Sequence, residues 1–341
     1  MTERETFAPV VSVVGATGAA GTTLVRTLEE RRFGLSDLKL FASSRSAGAT
    51  VRFRGSELTV HEVDGNALHG SDVVFFAAGS SVSREFAPLV AEAGGVAIDK
   101  SSAFRMDPAI PLIVPEVNPE AVARHSGIIA NPNCVVIPLT VALAPLHRVA
   151  GLIHLTVATY QAASGAGTAL RTELQRQVQD DAAGKTPVAE VYPHVLHGNV
   201  VPGGWRMEGE ATEEEVKVVG ETRRVLGMPR LPIAVTTVRV PVEVGHSLAV
   251  WAEFDHALSA AGARRVLASA PGVKVVDDPV AQEYPTPRMA AGTDWVYVGR
   301  IREDSTRRNG LSLFIAADNL RKGAATNAVQ VAELALAART P

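Results

Sequence analysis

The sequence predicts an α/β protein in which a doubly wound parallel sheet is followed by a second, α+β region. Three observations carry this expectation. A branched apolar run, Val10 to Val14, leads directly into glycines at positions 15, 18 and 21. Strand-like and helix-like segments then alternate as far as about Ala130, the pattern of parallel strands joined by crossover helices. Beyond that point strand-like segments predominate over a few helices, which predicts a largely antiparallel sheet. With 341 residues, 46% hydrophobic and 20% charged, the chain has apolar material for about two packed domains.

Taken in order, Val10 to Val14 is the first buried strand, and a helical pattern from Thr22 to Arg32 follows its glycines. Leu38 to Ala42 is the second strand. Asp72 to Gly79 is another buried strand that ends in small residues. Val82 to Ala93 is helical, and Gly94-Gly95 closes it before the strand Val96 to Asp99. In the second region the apolar run Val135 to Leu146 is a helix, and Leu152 to Gln161 alternates as a strand before Ala162-Ala163-Ser164-Gly165. Thr168 to Gln179 is a polar helix, Tyr192 to Gly209 an excursion rich in His, Pro and Gly, and Glu213 to Leu226 a helix. Ile233 to Pro241, Ser247 to Phe254 and Leu311 to Asp318 are strands, and Gly323 to Arg339 is an alanine-rich closing helix. Domains are therefore expected over residues 1–130 and 131–318. Residues 319–341 are expected to return to the first domain.

Composition excludes several classes of function. A net charge of −3, with basic pairs such as Arg223-Arg224 and Arg307-Arg308 scattered along the chain, gives no footing for nucleic acid. Met1 to Pro9 is polar and of mixed charge, unlike a signal peptide. No apolar stretch approaches the roughly 20 residues of a membrane span. A single cysteine fits a reducing compartment, and a cytoplasmic protein is expected. His194 and His197 lack further ligands around them, so no metal site is expected.

Gly15, Gly18 and Gly21 form G-x-x-G-x-x-G between a strand and a helix, a variant of the Rossmann-type dinucleotide fingerprint. Gly15, Thr17, Gly18, Ala19, Ala20 and Gly21 would then approach the cofactor, with the pyrophosphate on the helix N-terminus. An NAD-selective site usually carries Asp or Glu at the end of the second strand. Here the chain reads Ser43-Ser44-Arg45-Ser46, and a guanidinium between two hydroxyls (Ser44 and Ser46) suits a 2′-phosphate. NADP is the expected cofactor.

Cys134 is the only cysteine. Most free cysteines are buried filler. This one follows Asn131-Pro132-Asn133, which can stop one element and cap the next. That places it in the first turn of a helix, where unpaired N–H groups and the helix dipole favour the thiolate.

With these segments in place, the chain resembles the aspartate-semialdehyde dehydrogenase family. The resemblance is carried by Gly15 to Gly21, Ser44-Arg45-Ser46, Asn131 to Cys134, Tyr160 to Gly165, Arg239-Val240-Pro241 with Gly245-His246-Ser247, and Asp318 to Ala325. It runs from the first strand to the last helix. It implies NADPH-dependent reduction of L-aspartyl 4-phosphate to aspartate 4-semialdehyde and phosphate, a step toward lysine (through diaminopimelate), methionine and threonine. It also implies that Cys134 forms a thioester, His246 moves protons and Gln161 orients the acyl group. Arg239 would clamp the substrate carboxylate. Glu214 would meet the ammonium and Lys217 the phosphate or carboxylate, although the residues alone read as an exposed intrahelical pair. Arg105 and Asn133 match the phosphate site. Gly79, Ser80, Ser164, Gly165 and Asn319 match segments that line the cofactor. The second domain would serve substrate binding and dimerisation, giving a homodimer or homotetramer.

Two segments depart from the family pattern. Asp99-Lys100 stands where the family commonly has Asp-Asn, and Gly198 to Glu210 differs along its length. The competing expectations are an N-acetyl-gamma-glutamyl-phosphate reductase-like enzyme and a non-catalytic paralogue that binds or assembles without turnover.

Overall fold

The computed structural model describes residues 8–339, apart from the Arg339 side chain. Residues 1–7 of the polar N-terminal stretch and residues 340–341 of the terminal segment lie outside the described residues. The chain divides into two compact units. One holds the described residues up to Pro115, Pro119–Pro132 and those from Ala325 onward; the other holds Glu116–Asn118 and Asn133–Ala324.

The first unit is built on seven strands, β1 (Val10–Val14), β2 (Asp37–Ala42), β3 (Thr50–Phe53), β4 (Ser56–Glu62), β5 (Val73–Phe76), β6 (Val96–Asp99) and β7 (Ile128–Ala130). Their order is β3-β4-β2-β1-β5-β6-β7, parallel throughout except for the antiparallel β3–β4 pair at one edge. Successive side chains feed opposite cores, which is why these strands read as unbroken apolar runs. Val11, Val13, Val73 and Phe75 join Leu24, Val25 and Leu28 of α1 (Ala19–Glu30). Val14, Val74 and Phe76 join Phe86, Ala87 and Val90 of α2 (Ser80–Glu92). The helix Thr326–Arg339 adds Ala328, Val329, Ala332 and Ala335 to the first of these cores. Because β1 lies between β2 and β5, the strand order reverses at its carboxyl end. That is the switch point where open α/β sheets bind ligands. The β3–β4 hairpin escapes a periodicity reading because it is an edge with Arg52, Glu57, His61 and Glu62 exposed.

The second unit begins with α3 (Val136–Ala150), apolar on almost every side and accordingly buried. β8 (Leu152–Gln161), α4 (Thr168–Ala182), the short pair β9 (Met207–Glu208) and β10 (Ala211–Thr212), and α5 (Glu213–Val225) follow. Next come β11 (Ile233–Arg239), β12 (His246–Phe254), α6 (Ala260–Ala268), β13 (Val273–Val275), α7 (Pro287–Ala290), β14 (Val296–Asp304) and β15 (Gly310–Ala317). The last helix of the chain, Thr326–Arg339, is α8. The sheet order is β11-β8-β12-β15-β14-β13. It is mixed: β8–β12, β12–β15 and β14–β15 are antiparallel, whereas β11–β8 and β13–β14 are parallel. β14 is masked in the sequence by a register shift between Gly299 and Arg302, with Arg300 at a positive φ of 54°, which breaks the alternation.

The second unit extends past the expected limit at residue 318 because its closing turn is fastened to it. Asp318 Oδ1 accepts from the N–H groups of Leu320 and Arg321 at 2.8 and 3.0 Å, and Oδ2 accepts from Gly292 N–H at 2.7 Å. Arg321 pairs with Asp294 at 2.9 Å. Lys322 pairs with Glu116 at 2.7 Å, and their side chains are only 1% and 8% exposed. Removing one partner withdraws a short ion pair from a buried charge. Glu116→Gln is therefore expected to destabilise the second unit by about 3–5 kcal/mol, read as a lower denaturation midpoint. A midpoint within error of wild type would show that the pair carries no such load.

Candidate active site

Gln161 is the last residue of β8, Arg239 the last of β11 and His246 the first of β12. Register brings them together. Gln161 is opposite Arg239 across the parallel β8–β11 pair, and Tyr160 is opposite Ser247 across the antiparallel β8–β12 pair. All three side chains therefore rise from one end of the sheet, and all are buried.

One peptide group, that of Ala162, orients two of them. Its N–H donates to His246 Nδ1 at 3.0 Å, and its carbonyl accepts from Arg239 Nη1 at 2.8 Å. A neutral imidazole that accepts at Nδ1 carries its proton on Nε2. Nε2 lies 3.3 Å from Cys134 Sγ. With Nδ1 occupied by the Ala162 N–H, the neutral ring turns its Nε2–H toward the sulfur. Burial, and secondarily the Arg239 guanidinium, hold His246 well below the usual histidine pKa, so it stays neutral near pH 7.

Cys134 is half-buried, in a turn immediately before α3. The regular helix begins at Val136, two residues later than the sulfur, yet its hydrogen bonding starts earlier. The Asn133 carbonyl accepts from Ile137 N–H at 3.1 Å, and Asn133 Oδ1 accepts from Val135 N–H at 2.7 Å. The N-cap position of α3 is Val135 and carries no side-chain cap bond, so Asn133 braces the turn that holds Cys134 rather than capping the helix, and Cys134 precedes the first helical turn in which the sequence placed it.

α5 supplies the back of the site. Its start is fixed by a capping box between Thr212 and Glu215, with acids in the first turn and Arg223 and Arg224 in the last. Most of its surface is polar, but Glu214 and Glu221 lie on the buried face with Val218 and Val225. Seven residues apart, the two carboxylates stand two turns from each other on one side. Glu214 Oε1 accepts from Asn133 Nδ2 and from Gln161 Nε2, each at 3.0 Å. Glu221 Oε2 accepts from Asn133 N–H at 2.6 Å. Lys217 turns elsewhere and pairs with Glu213 at 3.5 Å in a partly exposed i,i+4 contact.

Among the described residues, the buried polar atoms without a partner include two of opposite polarity here: Gln161 Oε1, an acceptor, and Arg239 Nε, a donor. The Gln161 orientation is fixed because its amide nitrogen faces a carboxylate. Unsatisfied buried polar atoms cost about 1–3 kcal/mol each, and a ligand bearing both an ammonium and a carboxylate would satisfy the pair. Gly165 leaves the room. A Cβ built there would lie 2.9 Å from Arg239 Nη1 and 3.0 Å from His246 Nε2. Ser164 and Asn319, expected at the cofactor, are buried and bonded to each other, and Asn319 Oδ1 also accepts from Gly245 N–H at 2.9 Å. They hold the peptide that leads into His246.

The remaining expected residues lie in the first unit. Gly18 caps α1 with no side-chain hydrogen bond and no acid in the first turn, so the N–H groups at Ala19, Ala20 and Gly21 are left for an anion. Gly21 is obligatory, since a Cβ there would meet Gly15 O at 2.0 Å. Gly15 and Thr17 belong to the same turn. Gly79 caps α2, also without a side-chain bond, and Ser80 is its first residue. Ser44, Arg45 and Ser46 form an exposed to half-exposed 3-10 turn after β2, as a dinucleotide's ribose end would need. Arg105 is buried and donates to the Lys100 carbonyl at 2.6 Å. These features fit a nicotinamide dinucleotide, with Gly18 to Gly21 at its pyrophosphate.

Sequence reasoning missed three participants. Glu221 was readable, because it shares the face of Glu214. The Ala162 peptide was not, since backbone direction leaves no residue-type signal. Trp205, whose ring centre lies 4.7 Å from the Arg239 guanidinium carbon, sits in the irregular excursion, where no period points to it.

Comparison with known proteins shows what the whole chain is similar to. Residues 10–125 match the semialdehyde dehydrogenase NAD binding domain, and residues 143–322 match the semialdehyde dehydrogenase dimerisation domain. The chain is 47% identical over 325 residues to an aspartate-semialdehyde dehydrogenase of Synechocystis sp., covering 95% of this chain and 96% of that protein. It is 43% identical to one from Bacillus subtilis, covering 95% and 96%. Among solved structures, aspartate semialdehyde dehydrogenase II of Vibrio cholerae complexed with ASA superposes with a TM-score of 0.95 at 40% identity, covering 98% of this chain and 100% of that one. A Candida albicans aspartate semialdehyde dehydrogenase with NADP gives 0.75 at 25% identity, covering 96% and 98%.

Two outcomes are expected from this geometry. Gly165→Ala forces Arg239 and His246 aside, so Cys134 should be alkylated by iodoacetamide at least about tenfold more slowly near pH 7; an unchanged rate would mean that the pair tolerates a methyl group. A depressed histidine pKa stabilises the fold fully above the unfolded value of 6.5 and loses that contribution as pH falls. Wild type should therefore lose stability relative to His246→Asn below pH 6.5, by at most about 1.4 kcal/mol per pH unit. Parallel curves in urea titrations across pH would show that His246 titrates normally.

Proposed function

The chain belongs to the aspartate-semialdehyde dehydrogenase family, and on that premise we propose that it reduces L-aspartyl 4-phosphate to aspartate 4-semialdehyde with NADPH through a thioester on Cys134. The observation that carries this reading is a thiol held by a neutral Nε2–H imidazole, next to an unpaired donor on Arg239 and an unpaired acceptor on Gln161. In this reading Arg239 takes the α-carboxylate, and Glu214 with Gln161 Oε1 takes the ammonium.

The Cys134 thiolate attacks the acyl carbon, a C–S bond forms, and phosphate leaves with the electrons of the C–O bond. Bound NADPH supplies the hydride that converts the acyl group to the aldehyde oxidation level. His246 Nε2–H donates to the carbonyl oxygen as charge gathers there, then to sulfur as the C–S bond breaks. The chain ends as it began, with thiolate and neutral imidazole, and the proton consumed overall resides on the departing phosphate. Arg105 is assigned to phosphate by the family motif, and Lys217 by the same motif, provided that it leaves Glu213. Gly15, Thr17, Gly18 to Gly21, Gly79, Ser80, Ser164, Gly165 and Asn319 are assigned to the cofactor on the same basis, and Arg45 with Ser44 and Ser46 to its 2′-phosphate.

An N-acetyl-gamma-glutamyl phosphate substrate fits less well. Its nitrogen is acylated and uncharged, so the buried Glu214 carboxylate would face no cation. The match to a dimerisation domain supports a homo-oligomer, which we take to be a homodimer or homotetramer. Among the described residues no helix is long and apolar enough to cross a membrane. We place the reaction in the cytoplasm, on the route to lysine (through diaminopimelate), methionine and threonine.

Phosphate-dependent reduction of NADP by aspartate semialdehyde tests the function directly. Wild type should turn over, and Cys134→Ser should lose at least about 10³-fold in kcat while still binding NADPH. Turnover of the acetylated glutamyl compound alone would reject the substrate, and a Cys134→Ser variant near wild type would reject the nucleophile. Arg45→Ala should reduce the NADPH-over-NADH preference by about tenfold or more, the worth of a charged phosphate contact. Equal use of the two cofactors by wild type, unchanged in the variant, would reject the cofactor assignment.

A further inference from the structure

We infer that Trp205 is a specificity-determining residue: its indole sets the Arg239 guanidinium edge-on to the substrate carboxylate and shields that pair from water. The inference rests on the reading that Arg239 is the carboxylate clamp, and it adds a residue that no motif singled out.

Arg239 is only 3% exposed, yet among the described residues no carboxylate pairs with its guanidinium. Two rings pack on it instead, and the Tyr192 hydroxyl also lies within hydrogen-bonding reach of the guanidinium. The guanidinium carbon lies 4.7 Å from the Trp205 ring centre and 5.9 Å from that of Tyr192. An aromatic face neutralises part of a cation's charge through its quadrupole and leaves the in-plane N–H bonds free. Nη1 spends one of these on the Ala162 carbonyl, and the buried Nε keeps another unpaired. A guanidinium flanked by aromatic rings and only partly hydrogen-bonded is prepared for an anion at its unpaired N–H.

The excursion is built to hold the indole there. Val201 and Arg239 exchange both backbone hydrogen bonds, at 2.8 and 2.9 Å, which ties the loop to the end of β11. The Tyr192 hydroxyl donates to the Gly203 carbonyl, and burial keeps that phenol neutral by raising its pKa. Gly204 has φ of +85°, and a Cβ there would lie 2.1 Å from the Tyr192 oxygen, so the turn before Trp205 admits only glycine. After the indole, Arg206 reaches Glu213 of α5 at 3.7 Å. Trp205 is therefore clipped on both sides, although the surrounding segment is largely exposed. This stretch also lies within the segment that departs from the family pattern.

The test measures phosphate-dependent oxidation of aspartate semialdehyde beside 3-aminopropanal, the same amino aldehyde without the carboxylate, in wild type, Trp205→Ala and Trp205→Phe. Trp205→Ala should raise KM for aspartate semialdehyde by about tenfold or more and change kcat by less than about threefold. Its preference for the carboxylate-bearing aldehyde, as a ratio of kcat/KM, should fall by a similar factor. Trp205→Phe keeps an aromatic face and should recover most of both, with Tm and NADP affinity near wild type in the two variants. Unchanged KM and preference in Trp205→Ala would overturn the inference, as would a phenylalanine variant no better than alanine. Wild type indifferent to the carboxylate would instead overturn the assignment of Arg239, and with it both readings.

Discussion

The Ala162 peptide is the constraint from which the chemistry of the second unit follows. Its N–H fixes the imidazole of His246 by occupying Nδ1, and its carbonyl fixes the guanidinium of Arg239. Both bonds exist because β8 lies between β11 and β12, so that its end is flanked by the last residue of one neighbour and the first of the other. A side chain can be exchanged without moving that peptide; the peptide cannot move without losing the strand register. His246 and Arg239 are thus held at the end of the sheet by backbone hydrogen bonds, while Cys134 comes from the turn before α3.

Around that peptide the chain buries ionisable groups that a folding argument alone would disfavour. Glu214 and Glu221 sit on the inner face of a polar helix, and Arg239 and His246 are almost fully enclosed. Their desolvation is offset by hydrogen bonds from Asn133, Gln161 and Ala162, but only in part, since Gln161 Oε1 and Arg239 Nε remain unpaired. Incomplete satisfaction of this kind is costly, and a zwitterionic ligand that completed both bonds would recover that cost as binding free energy. The same reasoning explains why the cysteine is kept half-exposed while its supports are buried.

Much of this was legible in the sequence, for reasons that can be named. β1, β5 and β6 were readable because both of their faces are buried and their residues are therefore uniformly apolar. The Gly15 to Gly21 loop was readable because a helix start against a strand end leaves room for few other residues. Cys134, Gln161, Arg239 and His246 were singled out from motifs, and the fold brings all four into one unit. The β3–β4 hairpin and β14 were not readable, the first for its exposed charged edge and the second for its bulge. Lys217 shows the limit of helical spacing: three residues from Glu214, it nevertheless bonds to Glu213, because the side chain follows the i,i+4 direction. The donor role of His246 was beyond reach, since it depends on which ring nitrogen a backbone amide occupies.

That role can be observed directly. Nitrogen-15 NMR of histidine-labelled protein, with His246→Asn used to assign the resonance, reports which ring nitrogen bears the proton. The expected result at pH 7 is a neutral ring with Nε2 protonated and Nδ1 bare, persisting to pH values below 6.5. A ring protonated at Nδ1, or an imidazolium at pH 7, would contradict the geometry on which the whole mechanism stands.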